Sequence, residues 1–151
     1  MPTATNGLDT GARLRTAIGK LHRRLRPTAA GAAAGLTPTR ASVLFTITRL
    51  GPIRLTDLAA EEGINPTMLS RVVAELSEAG LVERTCDPGD RRAALVEVTA
   101  TGRRLLERMR RERTDVLNLA LAELPAAERR RLKQALPALE QLAEELKEQR
   151  A

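Results

Sequence analysis

The chain has no tryptophan, no tyrosine and one phenylalanine, Phe45. Its core must therefore be aliphatic, and only Phe45 is available for stacking against a flat ligand. Cysteine is as scarce. Cys86 alone rules out an intramolecular disulfide framework and fits a reducing cytosol. His22 is the sole histidine. A metal site built on His and Cys needs several convergent ligands, so no metal or other cofactor is expected and His22 reads as a helix-surface residue. One His and one Cys cannot furnish a nucleophile with its base, and no glycine-rich phosphate loop is present, so enzymatic activity is not expected. No apolar run approaches the roughly 20 residues that span a bilayer. Met1 to Thr10 lacks the apolar segment of a signal peptide, and the expectation is a cytoplasmic protein without membrane contact.

What the chain has in abundance is Ala, Leu, Arg and Glu, a helix-forming set. Its 151 residues suffice for one core rather than two independent ones. The 25 basic and 19 acidic residues leave a net charge of +6, which suits an anionic partner. The distribution complicates that reading. Between Gly51 and Gly80 the bases are Arg54 and Arg71, against Asp57, Glu61, Glu62, Glu75 and Glu78. The positive excess lies instead at Arg13 to Arg26 and at Arg103 to Arg113.

Residues 55 to 92 carry the functional signal. A short helix is predicted from Thr56, whose hydroxyl can cap it, with Asp57 complementing the helix dipole and Gly63 closing it in the left-handed conformation. Asn65-Pro66 then supplies a cap and a first-turn residue for a second helix. In that helix Leu69, Val72, Val73 and Leu76 form one apolar stripe. The opposite face, with Pro66, Thr67, Ser70, Arg71 and Ala74, is small or polar. Such a face fits the floor of a DNA major groove, where Arg reads guanine N7 and O6. After Gly80, Leu81 to Cys86 alternates as a strand, Asp87-Pro88-Gly89-Asp90 is a turn, and Ala93 to Val98 returns. Arg91 and Arg92 beside that turn suit a phosphate backbone or a minor groove.

These segments closely resemble the MarR family of bacterial transcriptional regulators. The residues that carry the resemblance are Leu55-Thr56-Asp57-Leu58-Ala59, Asn65 to Leu76, Gly80-Leu81-Val82-Glu83-Arg84, Asp87-Pro88-Gly89-Asp90-Arg91-Arg92 and Val98-Thr99-Ala100-Thr101-Gly102. The resemblance implies that the helix after Asn65 is a recognition helix and that Asp90 and Arg92 form the wing motif, the Asp orienting the hairpin and the Arg meeting DNA. The DNA-contacting set expected is Asn65, Pro66, Thr67, Ser70, Arg71, Arg84, Asp90, Arg91 and Arg92, with Asn65 chiefly a cap. It further implies a small-molecule crevice between reader and dimer helices. Relatives commonly place aromatic acids there, but with Phe45 alone for stacking the crevice carries over and the ligand does not. Arg15, Arg23 and Arg24 are candidates to meet a carboxylate.

The flanks complete the plan. Leu14, Ile18, Leu21 and Leu25 recur at helical spacing up to Pro27, and Ala29 to Gly35 reads as a flexible connection or weak helical extension. Thr37-Pro38 opens a helix that can turn Ala41, Leu44, Phe45 and Ile47 inward, and Ile53-Arg54-Leu55 is a short bracing strand. Thr99 caps a long helix that breaks at Leu124-Pro125. A last helix runs toward Gln149, with Leu132, Leu136, Leu139, Leu142 and Leu146 on one side and a bend expected at Pro137. The Leu stripes, Leu14, Ile18 and Leu21 included, exceed what one small reader can cover, and a homodimer is the natural remedy.

The fold class expected is mainly α with a small β-hairpin wing (α+β): a winged helix-turn-helix with N- and C-terminal dimerisation helices. The divisions are residues 1–10, a loose tail; 11–35, an N-terminal dimerisation helix and connection; 36–100, the DNA-binding domain; and 101–151, the C-terminal dimerisation helices. The function expected is a homodimeric regulator, a ligand-responsive repressor on a pseudo-palindromic operator in double-stranded DNA, its two recognition helices about one DNA turn, roughly 34 Å, apart. Two alternatives stand beside it. The acidic helix-turn-helix suits a module that binds protein, and Cys86, flanked by Arg84 and Asp87, suits an oxidant sensor, although a buried structural thiol is the commoner case and relatives that sense oxidants use a cysteine in the first helix.

Overall fold

The computed structural model describes residues 4–148, with the side chains of residues 9–90 and 93–146. Seven helices and three strands follow one another among them: α1 (Ala4–Leu25), α2 (Ala29–Ala33), α3 (Pro38–Leu50), β1 (Ile53–Arg54), α4 (Leu55–Glu62), α5 (Pro66–Glu78), β2 (Val82–Asp87), β3 (Asp90–Val98), α6 (Ala100–Ala122) and α7 (Ala126–Glu148). The architecture is the mainly helical winged helix-turn-helix anticipated, with one small antiparallel sheet in the order β1-β3-β2. The chain divides into two compact units, Met1–Arg113 and Thr114–Ala151.

The first unit holds the aliphatic core. Val43, Leu44 and Ile47 of α3, Leu58 of α4, and Leu69, Val73 and Leu76 of α5 are buried with Val96 of β3 and Leu105 of α6. Full burial of each such side chain contributes about 1.5–3 kcal/mol, so the helix-turn-helix and the sheet are fastened to one another through α3. Three capping signals are realised as the sequence implies. Thr37 Oγ1 accepts from the Arg40 amide at 3.3 Å, Gly63 closes α4 at φ 64°, and Thr99 Oγ1 accepts from the Gly102 amide at 3.1 Å.

Several local expectations are corrected. The polar stretch read as a tail is helical from Ala4, because an established helix extends at the cost of one ordered residue per bond gained. Helix α4 starts at Leu55, one residue early, and Thr56 is not its cap. Arg54 takes that position because β1 holds it extended opposite Leu95. Of the two readings of Ala29 to Gly35 the helical one holds: Ala29–Ala33 is a helix whose second amide, that of Ala30, donates to both Glu112 carboxylate oxygens at 3.1 and 3.3 Å. Phe45 does not turn inward but lies partly exposed, since Val43, Leu44 and Ile47 fill the core side of α3. The returning strand begins at Asp90, so Arg91 and Arg92 fall within β3, at the register shift between the Asp87–Asp90 and Cys86–Ala94 pairs, and the turn shrinks to Pro88-Gly89. Cys86 is exposed, because β2 is an edge strand whose buried positions are Val82 and Asp87.

The second unit comprises the end of α6 and α7. Leu132, Leu136, Leu139, Leu142 and Leu146 are all exposed, and the helix runs unbroken through Pro137. Gln149, the expected end of this helix, lies outside the described residues. Among the described residues no helix is long and apolar enough to cross a membrane, and no cluster of His, Cys, Asp and Glu gathers to hold a metal.

Candidate nucleic-acid interface

The exposed end of α5 is built by a local device. Asn65, extended at φ −69° and ψ 151°, turns its Oδ1 to accept from the Met68 amide at 2.8 Å, and Pro66 follows at the first helical position, where no N–H is missed. Leu69, Val72, Val73 and Leu76 are buried, which pins the helix by one side. The structure brings Pro66, Thr67, Ser70 and Arg71 together on the exposed remainder, whereas Ala74 is half-buried. It adds a residue the sequence reading missed, Met68, which is 45 % exposed. The signal was available, since Met68 falls outside the apolar stripe.

Packing also explains the acidic balance of this segment. Glu75 accepts from Arg40 of α3, Nε at 2.7 Å and Nη2 at 2.6 Å. Glu61 pairs with Arg49, and Glu62 accepts from the hydroxyls of Ser42 at 2.9 Å and Thr46 at 2.5 Å. Three of the carboxylates are thus turned toward α3, two onto its arginines and one onto its hydroxyls, while the exposed part of α5 carries Arg71 near its start and Glu78 at its end.

The hairpin of β2 and β3 stands beside this helix. Its turn end is fixed by Asp87, which in the sequence reads as a turn residue. Arg54 donates through Nε at 2.8 Å and through Nη2 at 2.5 Å to Asp87 Oδ2, and the Gly89 amide donates to Oδ1 at 2.8 Å. The Gly89 amide first, and then Arg54, hold the Asp87 carboxyl below its ordinary value, partial burial opposing them. Arg84 is exposed on β2 opposite Val96, and Asp90 is exposed at the start of β3. The side chains of Arg91 and Arg92 lie outside the described residues. At the far end, Thr99 donates to the Gly80 carbonyl at 2.6 Å, tying the exit of α5 to the entry of α6.

A second feature of the same unit is a cavity of about 730 Å³ lined by Leu25, Arg26, Thr28, Phe45, Met109 and Arg113, among others. Arg113 donates to the Leu25 carbonyl at 3.1 Å and the Arg26 carbonyl at 3.4 Å, and its guanidinium lies 5.3 Å from the centre of the Phe45 ring. The arginines at this cavity are Arg26 and Arg113, not the anticipated Arg15, Arg23 and Arg24: the cavity meets only the last turn of α1, which excludes Arg15, and only the face of that turn that carries His22 and Leu25, which excludes Arg23 and Arg24. His22, exposed on α1, stands among the lining residues.

The comparisons with known proteins converge. The pattern that defines the MarR family matches residues 36–94. An HTH-type transcriptional regulator of Mycobacterium tuberculosis is 33 % identical over 142 residues, 91 % of this chain and 98 % of the relative. The HTH-type transcriptional repressor NicR of Pseudomonas putida is 32 % identical over 79 residues, 52 % of this chain and 50 % of its own length. A transcriptional regulator of Thermotoga maritima, known from its crystal structure, has the same fold, with a TM-score of 0.80 at 23 % identity over 91 % of this chain and 96 % of the other. With a capped, one-sidedly buried helix beside a braced hairpin and kinship along nearly its whole length, the chain belongs to the MarR family of winged helix-turn-helix transcriptional regulators.

Proposed function

We propose that the protein is a homodimeric repressor that binds a pseudo-palindromic operator in double-stranded DNA and is tuned by a small-molecule effector. The observation that carries this reading is the end of α5, where Pro66, Thr67, Ser70 and Arg71 are exposed on a helix that Asn65 caps and an apolar stripe holds. Short side chains let the backbone approach base edges, and one guanidinium provides a bidentate contact to guanine. Arg84, Arg91 and Arg92 of the wing add flanking contacts, with Arg92 meeting DNA as in the family motif. The pairing of Glu61, Glu62 and Glu75 with α3 supports DNA rather than protein as the partner, because those charges are engaged by side chains of the same chain.

The dimer reading rests on exposed apolar faces. Ile18 and Leu21 on α1 are exposed and Leu14 is half-buried, while α7 exposes Leu132, Leu136, Leu139, Leu142 and Leu146. A second copy would cover these faces and set two recognition helices about 34 Å apart. The effector reading rests on the cavity between the end of α1, α3 and α6 in a family whose members use that crevice. A ligand there changes DNA affinity only if it prefers one arrangement of the reader. The repressor role follows the relative from Pseudomonas putida, and action in the cytoplasm follows from a DNA target.

A gel shift on duplexes flanking the protein's own gene, with excess nonspecific competitor at physiological salt, tests the reading. Two chains should bind per site, and Arg92→Ala should weaken binding and flatten its salt dependence by about one phosphate contact per subunit. A single chain per site, or no preference over competitor, refutes it. A module that binds only protein would give the latter result.

A further inference from the structure

The recognition helix has an unusual inventory. Pro66–Glu78 contains no Asn, Gln or Lys, so the bidentate amide contact that reads adenine N6 and N7 is missing. Arg71 can take guanine. Thr67 and Ser70 can serve more than one base, because a hydroxyl both donates and accepts. Hydroxyls discriminate poorly, so the feature that sets an A·T pair apart here is the thymine C5-methyl group in the major groove, and contact with it calls for an apolar side chain.

Met68 fills that need. Single exposed apolar side chains are ordinary on protein surfaces, but every other large apolar side chain of α5 is buried, and Met68 is 45 % exposed in the first turn. Its backbone is anchored, because its own amide donates to Asn65 Oδ1 at 2.8 Å. Arg71 lies three residues on and Thr67 one residue before, so Met68 and Arg71 are neighbours across one helical turn. A thioether on an unbranched chain is polarisable and adapts to a small apolar target.

We propose that Met68 is a specificity-determining residue that reads a thymine methyl group in each half-site, beside the guanine taken by Arg71. The inference rests on the reading of α5 as the DNA-contacting helix. Loss of one methyl contact should weaken binding about fourfold when one half-site is altered and about fifteenfold when both are.

The test starts from duplexes selected by the protein from a random-sequence library. In the selected duplex each thymine is replaced singly by deoxyuridine, which removes only the methyl group. Binding is then measured by fluorescence anisotropy for the unaltered protein, Met68→Ala and Met68→Leu. The expected result is one uracil-sensitive position per half-site for the unaltered protein, kept by Met68→Leu and abolished by Met68→Ala, with melting temperatures alike. Indifference of the unaltered protein to uracil everywhere, or equal sensitivity in Met68→Ala, overturns the proposal. If the library yields no enriched duplex, the DNA reading itself fails and the proposal falls with it.

Discussion

Removing the cap of the recognition helix should cost stability and DNA affinity together, and a second substitution separates the two. In Asn65→Ala the Met68 amide loses its 2.8 Å acceptor at the open end of α5. Because Asn65 is exposed, no cavity forms, and the whole effect comes from the cap. Loss of an Asn cap costs about 1 kcal/mol, which in a chain of this length lowers the melting temperature by about 2–4 °C. The same first turn carries Thr67 and Met68, so fraying there should weaken operator binding by about fivefold, the equivalent of that energy. Asn65→Asp offers an equally good acceptor and complements the positive end of the helix. It should therefore melt like the parent, yet bind DNA less well, because it sets a carboxylate against phosphates. Calorimetry and anisotropy on the three proteins decide the matter. An unchanged melting temperature for Asn65→Ala, or an Asn65→Asp variant as unstable as Asn65→Ala, refutes the reasoning.

Three further outcomes follow from the geometry. Native Asp87 titrates below the ordinary carboxylate value of 3.8, so the unfolded chain takes up that proton first as pH falls; the stability owed to its bonds is complete above about pH 5 and disappears as pH drops through the depressed native value. Acid titrations of melting temperature should show this loss, and Asp87→Asn should remove it. Gly102→Ala would put a Cβ 2.2 Å from the Leu81 carbonyl oxygen and 2.7 Å from Val98 Cγ2; chemical denaturation should show a destabilisation of about 1–3 kcal/mol, and an unaffected midpoint would contradict the close approach of α6 to the sheet. Leu136→Glu, at a half-exposed position of α7, should convert the proposed dimer to monomer by light scattering while leaving helix content intact, because the charge is solvated in one chain and buried between two.

The recognition helix and the hairpin were legible early because their signals are local. Asn65-Pro66 starts α5 through neighbours no more than three residues away, and Gly63 stops α4 by its own conformation. The buried stripe of Leu69, Val72, Val73 and Leu76 follows from helical spacing alone. Where the reading slipped, a remote partner intervened. Local sequence makes Thr56 a cap, but β3 pairs with β1 and moves the helix start to Leu55. Asp87 reads in sequence as a turn residue, and its bonds at the turn end of the hairpin run to Arg54, 33 residues away. The cavity arginines were misplaced for the same reason, since Arg113 reaches Leu25 across 88 residues.

Sequence by itself determined the aliphatic core, the order of helices and strands, the cap that opens the recognition helix and the family that these residues resemble. Each of these depends on side-chain type, spacing or contacts within one turn, and a linear reading has access to all of them. Tertiary structure alone decided which carboxylates turn toward α3, which arginine braces the wing, and which residues line the cavity. Those outcomes depend on atoms brought within about 3 Å of one another by packing distant elements on a common core, and such pairs leave no periodic trace along the chain.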